Sequence, residues 1–277
     1  MVWVCPPFVE VCHIQYSHKV TMSNDILDDL APLAAGATAL GVPLHEGQLA
    51  QFARYRDLLL DWNTRINLTA ITDPAEVVTR HFLDSLTCAL ALPADERADH
   101  SRLRTFLDVG SGAGFPGLAL AIAFPRWRVT LLEATAKKVR FLEAVIAELG
   151  LHHVRALAGR AEEMARQPGQ RGHYALVAAR AVAAWPTLLE YCAPFARKGG
   201  LIVAPKKGDL SDEIAAGKRA APLLGARLFD PITIPAAPEL AALDDGRVLL
   251  VAGQERSCPP AYPRGGGAPL KHPLGGQ

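Results

Sequence analysis

The 277-residue sequence has no long apolar run, no paired cysteine motif and almost no excess of either charge. Its longest apolar stretch, near residues 117–124, is far shorter than the roughly 18 residues of a membrane-spanning helix, so no segment is expected to cross a bilayer. Cysteines stand at positions 5, 12, 88, 192 and 258, with no C-x-x-C pair and an odd count. That pattern excludes a disulfide framework and a thiolate zinc site, and predicts reduced thiols in a cytoplasmic protein with no bound metal. Lysine and arginine number 29 against 28 acidic residues, a formal net charge of +1. So neutral a balance excludes a disordered polyelectrolyte and leaves any nucleic-acid partner to a local basic patch. What is plentiful is apolar side chain, 50% of the residues, enough for one domain or a domain with a lobe.

Both ends read as peripheral. Residues 1–21 lack the basic start, clean apolar stretch and small-residue cleavage site of a signal peptide, and show no helical period. They are expected to be a disordered or mis-started extension, the alternative being a short docking strand. Residues 254–277 hold five prolines and five glycines, with Arg256, Arg264 and Lys271 against Glu255 alone. They read as a loosely ordered basic tail that buries no core. Residues 22–102 read as an α-helical N-terminal lobe. Leu49, Phe52, Ala53, Leu59 and Leu60 recur there at near-helical spacing. A further helix start is marked by Asp73 as N-cap, Pro74 at the first position and Glu76 three after the cap. Over residues 103–253, strand-like runs at 104–109, 128–133, 153–157, 174–179, 200–204, 226–234 and 247–252 alternate with helical segments. The helical segments lie near 115–124, 135–149, 160–166, 185–196 and 210–224, with Gly150 placed to end the second. Such alternation predicts an α/β fold, an open and mostly parallel sheet covered on both faces.

The first strand of that region runs into Asp108-Val109-Gly110-Ser111-Gly112-Ala113-Gly114-Phe115-Pro116-Gly117, a glycine-rich turn followed by a helix. In a doubly wound sheet this turn lies at the carboxyl end of the first strand, where ligands bind. Its glycines let a ligand approach the backbone closely. Glu133 ends the next strand, 21 residues after Gly112, where an acid is suited to hold both ribose hydroxyls of an adenosine. Two cofactors fit. Gly112 through Gly117 match the G-x-G-x-x-G fingerprint of dinucleotide binding, but Asp108 would oppose a dianionic pyrophosphate. S-adenosylmethionine carries a sulfonium and an ammonium and no phosphate, so the same carboxylate helps. Asp108, Gly110, Gly112 and Gly114 resemble the first motif of class I methyltransferases. A purely structural glycine turn is the third reading.

Further stretches narrow the resemblance. Trp62-Asn63-Thr64-Arg65-Ile66-Asn67-Leu68-Thr69-Ala70-Ile71, Arg80-His81-Phe82-Leu83-Asp84-Ser85 and the glycine turn follow one another as in one family. The chain resembles the bacterial 16S ribosomal RNA N7-guanine methyltransferases, the RsmG or GidB family, from about residue 26 to 274. Lys138-Val139-Arg140-Phe141-Leu142, Gly159-Arg160-Ala161-Glu162-Glu163, Ala179-Arg180-Ala181, Lys207-Gly208 and Tyr262-Pro263-Arg264 also match. The resemblance implies a class I methyltransferase core with a Rossmann-like, mostly parallel seven-stranded sheet. It implies S-adenosylmethionine as cofactor, and 16S ribosomal RNA or the small ribosomal subunit as partner. Gly110 and Phe115 are implied on the methionine and ribose side, Glu133 at the ribose, and Ala161 and Glu162 at the adenine. Arg180 is implied at the cofactor and target base, and His81, Asp84 and Lys207 match positions expected to face RNA.

The chain departs from the family where Ala-Leu-Lys-Gly is replaced by Ala204-Pro205-Lys206-Lys207-Gly208, which leaves either Lys206 or Lys207 to face the substrate. Several residues also have plainer readings. His81 reads as a solvated surface side chain, Asp84 as the partner of Arg80 four residues earlier, and Lys137, Lys138 and Arg140 as a solvated face. Arg197, Lys198, Lys206 and Lys207, with no acid among them, read as the best local RNA patch. Cys88 precedes the cofactor turn with no Pro-Cys nearby, so covalent cytosine chemistry is not expected. Where amine methyltransferases carry Asn/Asp-Pro-Pro-aromatic, this chain has Ala179-Arg180-Ala181-Val182. Guanine N7 bears no proton near neutral pH and needs alignment, not a general base. No catalytic base is therefore expected, and Arg180 takes a positioning role. The expected activity is methyl transfer from S-adenosylmethionine to N7 of a guanine in 16S ribosomal RNA, by a monomer. The alternatives are the same fold acting on a small molecule or protein, and a non-catalytic ribosome-assembly factor.

Overall fold

Apolar side chains in the central strands divide between two cores with a period of two, as a sheet buried on both faces requires. Phe106, Leu131, Leu176, Ala178, Val203 and Val251 enter one core; Leu107, Leu132, Val177, Ile202, Ala204 and Ala252 enter the other. The computed structural model describes residues 24–276. Its strands are β1 (Thr105–Val109), β2 (Arg128–Glu133), β3 (Val154–Ala158), β4 (Tyr174–Ala178), β5 (Ala196–Lys207), β6 (Ala226–Leu228), β7 (Ile232–Thr233) and β8 (Arg247–Gln254). Their order is β3-β2-β1-β4-β5-β8-β6, and β7 pairs separately with β8. β1 to β5 are parallel, and β8 runs antiparallel to β5, β6 and β7. This is the Rossmann-like class I methyltransferase fold, and the order reverses between β1 and β4, the place where such sheets bind ligands. The sheet has eight strands, not seven. The run at 226–234 is broken because Pro231 has no N–H for the ladder.

Helices Asn24–Ala39 and Glu46–Asn63, with Gly117–Ala123 and Ala136–Glu148, cover the first core; Trp185–Cys192 and Ser211–Ala220 cover the second. Helix Glu46–Asn63 buries Leu49, Phe52, Ala53 and Leu59, the stripe expected from their spacing. Gln48 completes its capping box with His45 and also donates to the carbonyls of Ile122 and Ala123, at 2.8 and 3.0 Å. One amide thus serves the start of one helix and the end of another. Asp73 accepts from the Glu76 N–H at 2.9 Å, and Gly150, with φ of +62°, ends the helix before it. No helix among the described residues is long and apolar enough to cross a membrane.

The segment after β8 corrects the expectation of a loose tail. Cys258, Pro263 and Pro269 are buried in it. Arg171 donates to the carbonyls of Cys258, Pro259 and Tyr262, and Arg264 clasps Glu190 through Nε and a terminal nitrogen at 2.8 and 2.6 Å. The carboxylate of Glu190 is fully buried under that clasp. Residues 255–276 are a strap tied to the core by Arg171 from outside it and by its own Arg264. The expectation for residues 1–21 falls outside the described residues.

Candidate active site

The turn leaves β1 at Gly110 and enters the next helix at Gly117. Gly110 and Gly114 hold φ of +72° and +98°. A Cβ on Gly110 would stand 2.7 Å from Val182 Cγ2, and one on Gly114 would stand 2.6 Å from the Tyr55 hydroxyl, so a side chain at either place would be strained and would push its neighbour aside. Tyr55 donates to the Ala113 carbonyl and pins the turn to the N-terminal helices. Glu133, closing β2, accepts from the N–H of Gly112 at 2.9 Å and of Thr135 at 2.8 Å. Beside it opens a cavity of about 190 Å³ whose walls include Gly110, Glu133, Ala161, Glu162, Val182 and Leu270. Four residues expected at a cofactor are therefore brought together: Gly110, Glu133, Ala161 and Glu162. Gly112 aims Glu133 from behind. Leu270 comes from the strap, whose proline and glycine content concealed it.

Asp108 does not line that cavity. It is fully buried behind the turn, where Oδ2 accepts from the Gly117 N–H at 3.0 Å, and Oδ1 has no partner among the described residues. Burial pushes its carboxyl up to about 7, against the opposing pull of the Gly117 amide and Ser111. Two acids at the cavity, Glu133 and Glu162, and its apolar walls suit a cationic ligand bearing an adenosine. The same set disfavours a pyrophosphate.

Arg180 follows β4 and organises a second cluster. It donates to Asp84 Oδ2 at 2.6 Å, to the Arg80 carbonyl at 3.4 Å and to His81 Nδ1 at 3.1 Å. A guanidinium has five N–H groups, so two remain without a partner among the described residues. Asp84 Oδ1 accepts from Arg247 at 2.5 Å, and Asp245 grips the rest of Arg247. This corrects both expectations for Asp84. It is buried and faces neither RNA nor Arg80, which pairs with Glu76. Arg247 was missed because the contact that brings it to this cluster, with Asp84, spans 163 residues.

His81 is half-buried, not the solvated surface side chain of the plainer reading. Arginine only donates, so Nδ1 accepts, and Nε2 carries the proton given to Thr69 Oγ1 at 2.7 Å. Burial, with the charge of Arg180, lowers its pKa to about 4, so the ring is neutral near pH 7. Phe115 stacks on this ring at 4.5 Å, with the Arg180 guanidinium 4.9 Å from the Phe115 centroid. The Trp62–Ile71 motif supports the same point. Asn63 accepts from the N–H of Leu68 and of Thr69 and donates to the Thr69 carbonyl, fixing the hydroxyl that meets His81. His81 itself lies in a π-helical turn, Val78–Leu83, and Ala181, next to Arg180, holds φ of +58°. Both irregularities flank the cluster, where backbone strain tends to concentrate.

Lys206 is spent inside the protein, donating to the Ala183 carbonyl and to Glu213, each at 2.8 Å, which corrects its expected place at the substrate. Lys207 is exposed and paired with Asp245. Arg197 and Lys198 begin β5 whereas Lys206 and Lys207 end it, so the four form no single patch. Eight residues of strand separate Lys198 from Lys206, roughly 26 Å at about 3.3 Å each. Lys137 and Arg140 are exposed, as a solvated face requires, and Cys88 is buried, with burial raising its thiol. No cluster of potential metal ligands occurs among the described residues.

Residues 48–230 match the family model for GidB, described as rRNA small subunit methyltransferase G. Along most of its length the chain is similar to ribosomal RNA small subunit methyltransferase G of Dehalococcoides mccartyi (strain CBDB1), 45% identical over 243 residues, 87% of this chain and 98% of that protein. The protein of the same name from Roseiflexus sp. (strain RS-1) is 45% identical over 240 residues, 86% of this chain and 97% of its own. With the family matched through the helices, the glycine turn and the sheet, the chain belongs to the rRNA small subunit methyltransferase G (GidB) family.

Proposed function

We propose that the chain transfers a methyl group from S-adenosylmethionine to N7 of a guanine in 16S ribosomal RNA, in the cytoplasm, where small ribosomal subunits are found. The near end-to-end match to relatives named for methylation of small-subunit ribosomal RNA carries this reading. When bound, S-adenosylmethionine supplies a methyl group on a cationic sulfur. Glu133, held by two backbone N–H groups, accepts from ribose hydroxyls, and Ala161 and Glu162 border the adenine. The two unpartnered N–H groups of Arg180 orient the base, with Asp84 and His81 holding the guanidinium plane. N7 offers its lone pair in the base plane and loses no proton, so alignment suffices. His81 supports that account, because both its ring nitrogens are already engaged.

Incubation of unmethylated small subunits with labelled cofactor, followed by nucleoside mass analysis, should place the label in 7-methylguanosine. Label in another nucleoside, in protein or nowhere rejects the proposal. Glu133→Ala should weaken S-adenosylmethionine binding by roughly 1.5–3 kcal/mol, the range for hydrogen bonds to charged groups. Unchanged affinity in calorimetry would remove the ribose assignment.

Two pH profiles should differ. Asp108, pushed up to about 7, is partly protonated in the free protein near neutrality, and its charged form is the stronger acceptor for the Gly117 N–H that fixes the glycine turn. Cofactor affinity should therefore rise from about pH 6 to about pH 8 and then level off. Single-turnover transfer with cofactor and RNA saturating should stay flat from about pH 6.5 to 8.5. A rate that climbs tenfold per pH unit would require a general base and another acceptor atom.

A further inference from the structure

A second concave surface lies at the other end of the sheet. A groove of about 370 Å³ is formed where the chain enters β1 to β4, and its walls include Arg128, Arg155, His152, His153 and His173, with no carboxylate. Arg155 bonds only to the Thr130 hydroxyl, at 3.0 Å, and neither it nor Arg128 has an acidic partner among the described residues. The sequence explains why. Residues 125–130, 150–155, 167–174 and 196–200, which lead into β2, β3, β4 and β5, contain no aspartate or glutamate. Ala196 pairs with Tyr174, which brings Arg197 and Lys198 to the edge that carries His173. The lead into β1 does carry Asp95, Glu96 and Asp99, but Glu96 is taken by Arg102 and Arg104 and none of the three lines the groove, so the charges of Arg128 and Arg155 stay unpaired there.

The chemistry selects the ligand. A small anion is held by buried, converging donors, whereas here the two arginines are exposed and spread along an edge, as suits an extended chain of phosphates. The position selects it too. β3 is an edge strand that carries Arg155 near its start, and Gly159 and Ala161 of the cofactor cavity follow its end. The strand spans about 16 Å at about 3.3 Å per residue, so an RNA held at the groove need only pass this edge to reach the end of the sheet that carries the cofactor cavity and Arg180.

We propose that this groove holds backbone phosphates of the ribosomal RNA at a distance from the target guanine, a sequence-independent second contact that rests on the substrate reading above. The test measures binding of transcribed 16S ribosomal RNA against potassium chloride concentration for the wild type, Arg128→Ala/Arg155→Ala and Arg128→Lys/Arg155→Lys. The alanine pair should bind about tenfold more weakly at about 0.1 M salt, with a log–log salt slope shallower by about 1.5, near 0.7 per lost single-strand phosphate contact. The lysine pair should keep most of the affinity. Binding of S-adenosylhomocysteine and the melting temperature should not change in either variant. An alanine pair with wild-type affinity and slope overturns the proposal, as does a loss that tracks a lowered melting temperature without rescue by lysine. Methylation of small subunits by the wild type, measured alongside, reports on the substrate reading separately.

Discussion

Asp84→Ala should lower the free energy of unfolding by about 3 kcal/mol or more and carry methyl transfer down with it. Asp84 accepts from Arg180 on one oxygen and Arg247 on the other, and all three side chains are at least 86% covered. Removing the carboxylate leaves two guanidinium groups facing each other with little water to screen them. Asp245 still holds Arg247, but Arg180 keeps only the Arg80 carbonyl and His81. Its plane is then free to turn, which is why the rate should fall beyond any loss of folded protein. Urea unfolding gives the stability term, and single-turnover rates on the folded variant give the second. A loss below about 1 kcal/mol would class the triad with exposed ion pairs and sink this account. Asp84→Ala combined with Arg247→Met should recover part of the stability, because the repulsion between the two guanidinium groups is gone and Asp245 keeps Lys207 as a partner.

The largest purely structural effect is expected from Arg264→Ala. Glu190 lies on helix Trp185–Cys192 with no exposed surface, and it accepts from the backbone N–H, Nε and a terminal nitrogen of Arg264. Truncation strands a carboxylate in the second core, for which broken buried pairs cost about 3–5 kcal/mol. Arg264→Ala/Glu190→Gln should be more stable than Arg264→Ala alone, since the stranded charge is removed with its partner. If the double variant is no better, packing of the strap and not charge pairing dominates the loss.

The strands and the turn were legible because their signals are local. Short apolar runs mark β4 and β8, the latter between Gly246 and Gly253, and Asp73-Pro74 marks a helix start through contacts three residues long. Glu133 was legible for the same reason, through its spacing from Gly112. The Arg180 cluster was legible only as names. Its partners lie 96 to 163 residues apart, so periodicity cannot show that Asp84 turns inward between two arginines. Lys206 and Lys207 were indistinguishable by chemistry, because the difference between them is which way a strand end turns its side chains. The strap misled for a physical reason: proline and glycine predict an inability to build a core, but say nothing of arginines elsewhere that tie the backbone down.

That strap sets an order of events during synthesis. Every strand through β8 is encoded before residues 255–276, so the sheet's own sequence is complete before the segment that covers Glu190 and supplies Leu270 has been made. A chain cut short at Gln254 would keep every strand yet lose both the Arg264 clasp on Glu190 and the Leu270 wall of the cavity.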